Sequence, residues 1–118
     1  MLPGLFIDGQ ITVTENVADL GGVQVAFDAL QIYLAKNGAP GKIDGFTQDQ
    51  RFFISAATVW REKIRDEALT TQVKTNEHAP ASARSVQPIR NMDEFYDAFA
   101  IGPGDPMYLP PAERIVVW

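Results

Sequence analysis

The 118-residue chain contains no cysteine and a single histidine, His78. Without cysteine it cannot form a disulfide, a thiolate metal site or a cysteine nucleophile. With one histidine it cannot build a two-histidine metal site or use a second histidine as a base. Because cysteine-free proteins occur in every compartment, these absences exclude chemistries and leave the location open.

Clusters of basic residues and long apolar runs are also missing. Ten Lys and Arg residues against fifteen Asp and Glu residues give a formal net charge of −5. Since no Lys/Arg cluster interrupts this acidic balance, we expect no nucleic-acid partner. The apolar runs are too short for a transmembrane helix. The opening residues lack a basic segment followed by an apolar stretch, so they do not predict a signal peptide.

What the sequence does contain is typical of a folded domain. Hydrophobic residues make up 46% of the chain and aromatic residues 10%, which argues against disorder. A domain of this size buries roughly two-thirds of its unfolded surface, so it needs no crosslinks to fold. We find no internal repeat and treat residues 1–118 as a single segment.

Apolar spacing predicts a mainly α fold of three or four helices. Apolar residues recur every three or four positions over residues 15–37, 47–65 and 67–74, as in amphipathic helices. A further helix is predicted to begin after the box-like sequence at residues 91–94 and to end before Gly102.

Helix caps and minor β-structure complete the predicted fold. Thr47 and Gln50 form a capping-box pattern at the start of the second helix. Residues 5–13 predict a short β-hairpin around an Asp-Gly turn. The last five residues are predicted to be a short strand or extended segment, with Trp118 as a packing anchor. Trp60 is predicted to pack in the core with its neighbours Phe52 and Phe53.

Glu15 and Asp19 are four residues apart at the start of the first predicted helix, so they share one of its faces. In a structural interpretation, the two carboxylates stabilise the positive end of the helix. In a functional one, Glu15 is a ligand of a zinc site of the two-His, one-Glu type, and Asp19 orients a ligating imidazole. The chain supplies the two carboxylates but cannot supply the two histidines.

Three further polar residues could carry chemistry. His78 could donate a hydrogen bond to a developing oxyanion, or be a surface or capping histidine. Arg84 could bind a peptide carbonyl or carboxylate, or form a surface ion pair of little energetic value. Asn16 could hydrogen-bond an extended peptide backbone, or satisfy its own helix turn.

Five short motifs follow one another along the chain. They are Glu-Asn-Val-Ala-Asp-Leu-Gly-Gly at residues 15–22, Gln-x-Phe-Phe-x-x-x-Ala-x-x-Trp at 50–60, His-x-Pro-x-x-x-Arg at 78–84, the pattern Asn91, Glu94-Phe95 and Ala98-Phe99, and the terminal Val117-Trp118. In this order they resemble the carboxy-terminal end of the neprilysin/endothelin-converting-enzyme family of zinc metallopeptidases, which includes bacterial oligopeptidases. The resemblance spans essentially the whole chain, and its first and third motifs are specific.

The resemblance implies a role for each candidate residue. Glu15 would be the third zinc ligand, and Asp19 would hold one of the two zinc-binding histidines. His78 would stabilise the tetrahedral transition state, and Arg84 would bind substrate and help to position the site. Asn76 stands where many relatives have aspartate, so this position cannot offer His78 a carboxylate.

The resemblance also implies a larger zincin-like catalytic domain that hydrolyses peptide bonds of oligopeptides. In this family a His-Glu-x-x-His helix precedes the present segment, and its glutamate acts as base on a zinc-bound water. The sequence lacks that helix. We therefore expect residues 1–118 to be the carboxy-terminal part of a larger peptidase, catalytically inactive alone and unable to hold stoichiometric zinc. The lack of cysteines fits a bacterial member better than an animal ectoenzyme.

The partners expected on this interpretation are an oligopeptide substrate and the upstream part of the same enzyme. In the family, the helix face that carries Glu15 and Asp19 packs against the zinc helix. Without that helix the face leaves an apolar patch, so we also expect self-association. A stand-alone helical interaction module without catalysis is the alternative.

Overall fold

The computed structural model describes residues 2–117 and confirms a mainly α fold. Its helices are α1 (Gly9–Asn37), α2 (Gln48–Thr58), α3 (Asp66–Thr75), α4 (Ala81–Arg84) and α5 (Asp93–Phe99). Two short 3-10 turns lie at Ile89–Asn91 and Pro111–Glu113. In this part of the chain no strand forms, and an isolated antiparallel bridge joins Ile43 to Phe46. None of the helices of residues 2–117 is both long and apolar enough to cross a membrane.

The predicted β-hairpin at residues 5–13 is wrong because α1 begins at Gly9, six residues earlier than expected. The Asp8 carboxylate accepts hydrogen bonds from the backbone N–H groups of Gln10 (2.8 Å) and Ile11 (3.4 Å). Asp8 thus acts as the helix N-cap and satisfies donors that would otherwise lack partners. An Asp-Gly pair is compatible with a hairpin turn and with a helix start, and here the helix forms.

The capping box predicted for α2 is confirmed. The Thr47 hydroxyl accepts from the Gln50 backbone N–H at 3.2 Å, and the Gln50 side-chain oxygen accepts from the Thr47 backbone N–H at 3.0 Å. α2 nevertheless ends at Thr58 instead of near residue 65, and residues 61–65 carry no helix.

The capping box predicted at residues 91–94 is wrong. The N-cap of α5 is Met92, which makes no side-chain cap hydrogen bond. The Asn91 amide instead donates to the Gln87 carbonyl at 2.8 Å and accepts from the Ile115 N–H at 2.9 Å. It therefore joins two loops and does not start a helix. The polar stretch before it, predicted without secondary structure, contains α4 and the turn Ile89–Asn91.

The core lies where α1, α2, α5 and the turn Ile89–Asn91 meet. Its buried members are Leu20, Phe27, Phe53, Ile89, Met92, Phe95 and Tyr96. Phe53 is only 1% exposed; its ring stacks on Phe27 at 5.3 Å and meets the edge of Phe95 at 5.4 Å. The prediction of Phe53 as a core residue is confirmed. This aromatic cluster fixes α1 against the rest of the chain and so holds the face that carries Glu15.

Side chains tie the carboxy-terminal arm, residues 102–117, to α5 and the turn before it. The Tyr96 hydroxyl accepts from the Leu109 N–H at 3.0 Å, and Arg90 donates to the Met107 carbonyl at 2.9 Å. The Arg114 guanidinium lies 3.6 Å from the centre of the Tyr96 ring. Residues 114–117 form no strand. The predicted packing of Trp118 falls outside the described residues.

Candidate functional site

α1 and the segment before α4 bring four of the predicted site residues together. Glu15 and Asp19 lie one turn apart on α1. The segment that joins α3 to α4 carries His78, and α4 carries Arg84. Ala79 is 4% exposed, and burial of this residue presses the segment against the body of the molecule.

His78 pairs with Glu15. Its Nε2 lies 2.9 Å from the Glu15 carboxylate, and the two side chains are 39% and 31% exposed. Both groups therefore remain accessible to a ligand from outside the described chain. Because the pair is partly solvated, we attribute little stability to it.

Asn76 supports the His78 ring although it has no carboxylate. Its side-chain oxygen accepts from the His78 backbone N–H at 2.8 Å and lies 3.1 Å from Nδ1 of the ring. The Asn76 side-chain atom that faces the His78 backbone N–H must be an acceptor, which identifies it as the amide oxygen. The ring thus sits between two acceptors, Asn76 and Glu15, and only the imidazolium form can donate to both. The sequence analysis missed this support because it considered only a carboxylate at position 76, whereas the side-chain carbonyl of the Asn76 amide accepts in its place.

Asp19 and Arg84 form a bidentate ion pair beside the pair of His78 and Glu15. Nε and Nη2 of Arg84 donate to the two Asp19 oxygens at 2.6 and 2.7 Å, and each side chain is 16% exposed. These hydrogen bonds and the Asp19 charge raise the pKa of the Arg84 guanidinium above its ordinary value, against the opposing effect of burial. The pair therefore stays charged and fixed in geometry.

Trp60 belongs to this site and not to the core. The Arg84 guanidinium lies 4.1 Å from the centre of the Trp60 ring, a cation–π contact that holds the guanidinium plane. Trp60 is only partly buried, so its prediction as a core residue is wrong. Because α2 ends at Thr58, Trp60 lies in the turn that follows and can reach Arg84.

Asn16 does not join the other four side chains. Its amide donates to the Thr12 hydroxyl at 3.1 Å, one turn back on α1. This matches the interpretation in which Asn16 satisfies its own helix. Asn16 does line a cavity of about 380 Å³ that also borders Asp19 and Arg84 and is otherwise mainly apolar.

The described residues can supply part of a metal site. No group of three His, Cys, Asp or Glu side chains in residues 2–117 is arranged to hold a metal ion. Of the two site carboxylates, Glu15 is the more accessible, at 31% exposed against 16% for Asp19, and a carboxylate oxygen is a ligand that zinc accepts.

Breaking the pair between Asp19 and Arg84 is expected to destabilise the fold. Because both side chains are largely buried, Asp19→Ala strands the Arg84 charge, and we expect a loss of about 2–4 kcal/mol. Arg84→Ala should add little once Asp19 is gone, so the double variant should show a coupling of about 1–3 kcal/mol. Urea unfolding of the three variants measures this.

Asp93→Ala is the matched control for that cycle. Asp93 pairs with Arg114, but the Asp93 side chain is 80% exposed, and the 9%-exposed Arg114 keeps its hydrogen bond to the Leu109 carbonyl and its contact with the Tyr96 ring without Asp93. Removal of an exposed partner should change stability far less. Two outcomes would contradict a buried bidentate pair of Asp19 and Arg84. One is an equal loss of stability in Asp19→Ala and Asp93→Ala, and the other is additive stability losses for the Asp19 and Arg84 changes.

Relatives of this chain are peptidases of greater length. Neprilysin-11 of Caenorhabditis elegans is 36% identical over 95% of this chain, which corresponds to 13% of that protein. The neutral endopeptidase of Lactobacillus helveticus is 37% identical over 95% of the chain and 16% of that protein. Endothelin-converting enzyme 1 of Bos taurus is 36% identical over 95% of the chain and 15% of that protein. The chain thus spans about one-sixth or less of the length of these relatives.

A solved structure shares the fold. The zinc metalloprotease Zmp1 of Mycobacterium tuberculosis, in its open state by cryo-electron microscopy, superposes with a TM-score of 0.92 and 38% sequence identity. The match covers 98% of this chain and 18% of that chain. The profile of Peptidase family M13 matches residues 4–115, and the chain therefore belongs to peptidase family M13.

Proposed function

We propose that residues 1–118 form the carboxy-terminal part of the catalytic domain of a zinc metalloendopeptidase that hydrolyses oligopeptides. The observation that carries this proposal is the convergence of Glu15, Asp19, His78 and Arg84 on one accessible face of α1. The names of the relatives support the reaction class. The polypeptide outside residues 1–118 would complete the site and is the first expected partner.

Glu15 is the residue that would hold zinc. When bound, zinc activates a water molecule and polarises the scissile carbonyl. Asp19 would orient a second ligand: Arg84 occupies one lone-pair position on each Asp19 oxygen, and an ionised carboxylate has further positions. An imidazole N–H from a zinc-binding histidine can use one of them, as ligating histidines commonly do.

His78 and Arg84 would act on the substrate. If Glu15 turns towards the metal, Nε2 of His78 is released and can donate to the oxyanion of the transition state. Asn76 keeps the ring in place meanwhile. Asp19 uses Nε and Nη2 of Arg84, and no acceptor in residues 2–117 contacts Nη1. This nitrogen can donate to a carbonyl of the peptide, and Asn16 lines the same cavity as Arg84.

Two forms of the protein test the proposal: the native product in its source cells and the isolated 118-residue chain. An antibody against this segment should detect and purify a native product several times heavier than 13.0 kDa, with one zinc per chain and chelator-sensitive cleavage of oligopeptides. The isolated chain offers one ligand only, so it should show neither stoichiometric zinc nor cleavage.

Metal analysis and peptide cleavage assays on both samples give the answer. A native product near 13.0 kDa without zinc would contradict the proposal and favour the stand-alone interaction module. One tightly bound zinc on the isolated monomer would contradict the assignment of Glu15 as one ligand among several from elsewhere.

A further inference from the structure

Three parts of the fold meet at the guanidinium of Arg84. Asp19 reaches it from α1, Trp60 reaches it from the turn that follows α2, and Arg84 itself lies on α4. The Trp60 backbone N–H donates to the Ala57 carbonyl at 3.3 Å, which ties this turn to the end of α2. The core ring of Phe53 holds α2 against α1. Asp19 and Trp60 are therefore anchored on two helices that pack together.

Asp19 alone does not fix the plane of the guanidinium. The two Asp19 oxygens accept from Nε and Nη2 of Arg84, which lie along one edge of that plane. Because hydrogen bonds tolerate some bending, the plane could tilt about this edge by roughly 30°. In the rigid planar fork Nη1 lies about 2 Å from the edge, so such a tilt would move it by about 1 Å. A shift of about 1 Å is enough to weaken a contact with a bound substrate.

The Trp60 ring removes this freedom. The Arg84 guanidinium carbon lies over the ring, 4.1 Å from its centre. The ring blocks a tilt towards itself, and the cation–π attraction opposes a tilt away from it. An aliphatic side chain at this position would offer neither a flat face nor the negative face of a π-system. Asp19 thus fixes one edge of the guanidinium and Trp60 fixes its plane.

Trp60 makes this contact from outside the cavity beside the site. Arg84, Asp19 and Asn16 border that cavity of about 380 Å³, and Trp60 is not one of the residues in 2–117 that line it. A change at Trp60 therefore leaves the lining of the cavity intact. Its effect on a ligand in the cavity would pass through Arg84.

We propose that Trp60 is a positioning residue, whose ring holds the guanidinium plane of Arg84 so that Nη1 can donate to a carbonyl of the bound peptide. This inference rests on the proposed function, in which Nη1 makes that contact. A contact to a substrate carbonyl that is equally strong before and during the reaction contributes uniform binding. Loss of Trp60 should therefore raise KM and leave kcat nearly unchanged.

Steady-state kinetics and zinc analysis of the full-length protein test the role of Trp60. Trp60→Leu and Trp60→Met remove the ring, and each should raise KM about three- to tenfold, the range of a partly desolvated cation–π contact. Their kcat and zinc content should stay near wild type. Trp60→Phe keeps an aromatic face and should restore KM to within about twofold of wild type. The control is Tyr108→Leu, which removes a ring 5.8 Å from another guanidinium, that of Arg114 on the arm, and should leave KM unchanged.

Arg84→Lys shows whether Trp60 acts through Arg84, because lysine keeps the charge but has no plane to hold. Arg84→Lys should itself raise KM, and Trp60→Leu should then add less than about twofold. An equal effect of Trp60→Leu in both backgrounds overturns the inference, since it would show direct contact with the peptide. A normal KM in both ringless variants overturns it as well, and loss of zinc from both would assign Trp60 a structural role instead.

The same enzymes separate this inference from the proposed function. A raised KM for Arg84→Lys together with a normal KM for the ringless variants overturns the role of Trp60 alone. An unchanged KM for Arg84→Lys, or no peptide cleavage by the full-length protein, overturns the proposed role of Arg84, and the role of Trp60 falls with it.

Discussion

If the proposed function holds, His78→Ala in the full-length protein is expected to lower kcat by about 10²- to 10³-fold, the usual effect of removing one hydrogen-bond donor to an oxyanion. KM should change much less, because the donor acts mainly in the transition state. His78 is 39% exposed and contributes no core packing, so the fold should survive. Zinc content should also survive, since His78 is not a proposed ligand.

Two variants at Asn76 serve as controls for that result. Asn76→Asp keeps an acceptor against the His78 backbone N–H and Nδ1, whereas Asn76→Ala removes it. We expect near-normal turnover for the first and a loss of about 10- to 100-fold for the second, as for other residues that orient a functional histidine. Steady-state kinetics and metal analysis of the three enzymes decide the matter. A kcat for His78→Ala within about threefold of wild type, or loss of zinc, would show that His78 has a different role.

The sequence predicted which of the four polar side chains lie close together better than it predicted the secondary structure around them. Glu15 and Asp19 share a helix face by spacing alone, and the structure places His78 and Arg84 on that face. Spacing cannot show which distant residues meet, because that depends on the path of the segment between α3 and α4. The prediction that His78 and Arg84 lie near Glu15 and Asp19 came from the motif resemblance.

The errors in the fold have two physical origins. At residues 5–13 the local sequence allowed two conformations, and a local cap accompanies the helix; at Trp60 and Asn91, contacts with residues distant in the sequence decided the outcome. Asp8 caps a helix instead of opening a hairpin, and Trp60 contacts Arg84 because α2 ends at Thr58. Asn91 would have capped α5, but its amide bonds to Gln87 and Ile115. Sequence patterns of a few residues do not contain these tertiary partners.

Phe53→Ala is expected to destabilise the isolated chain more than any other single change considered for this protein. Phe53 is 1% exposed, and its ring touches the rings of Phe27, Phe52 and Phe95 at centroid distances of 5.3 to 5.4 Å. Removing it leaves a cavity between three helices, and such a loss costs about 3–5 kcal/mol. Since domains are stable by only about 5–15 kcal/mol, the variant should be close to unfolding.

Ile54→Ala provides a matched control within the same helix. Ile54 follows Phe53 in α2 but is 39% exposed, so its replacement should cost about 1 kcal/mol or less. Urea unfolding followed by far-UV circular dichroism compares the two variants, and Phe53→Ala should lower the midpoint by roughly 1.5–3 M. The experiment is carried out at a concentration where sedimentation shows the chain to be monomeric, because self-association would add stability. Midpoints that agree for the two variants would mean that α1, α2 and α5 do not share the aromatic core that holds Glu15 and Asp19 in position.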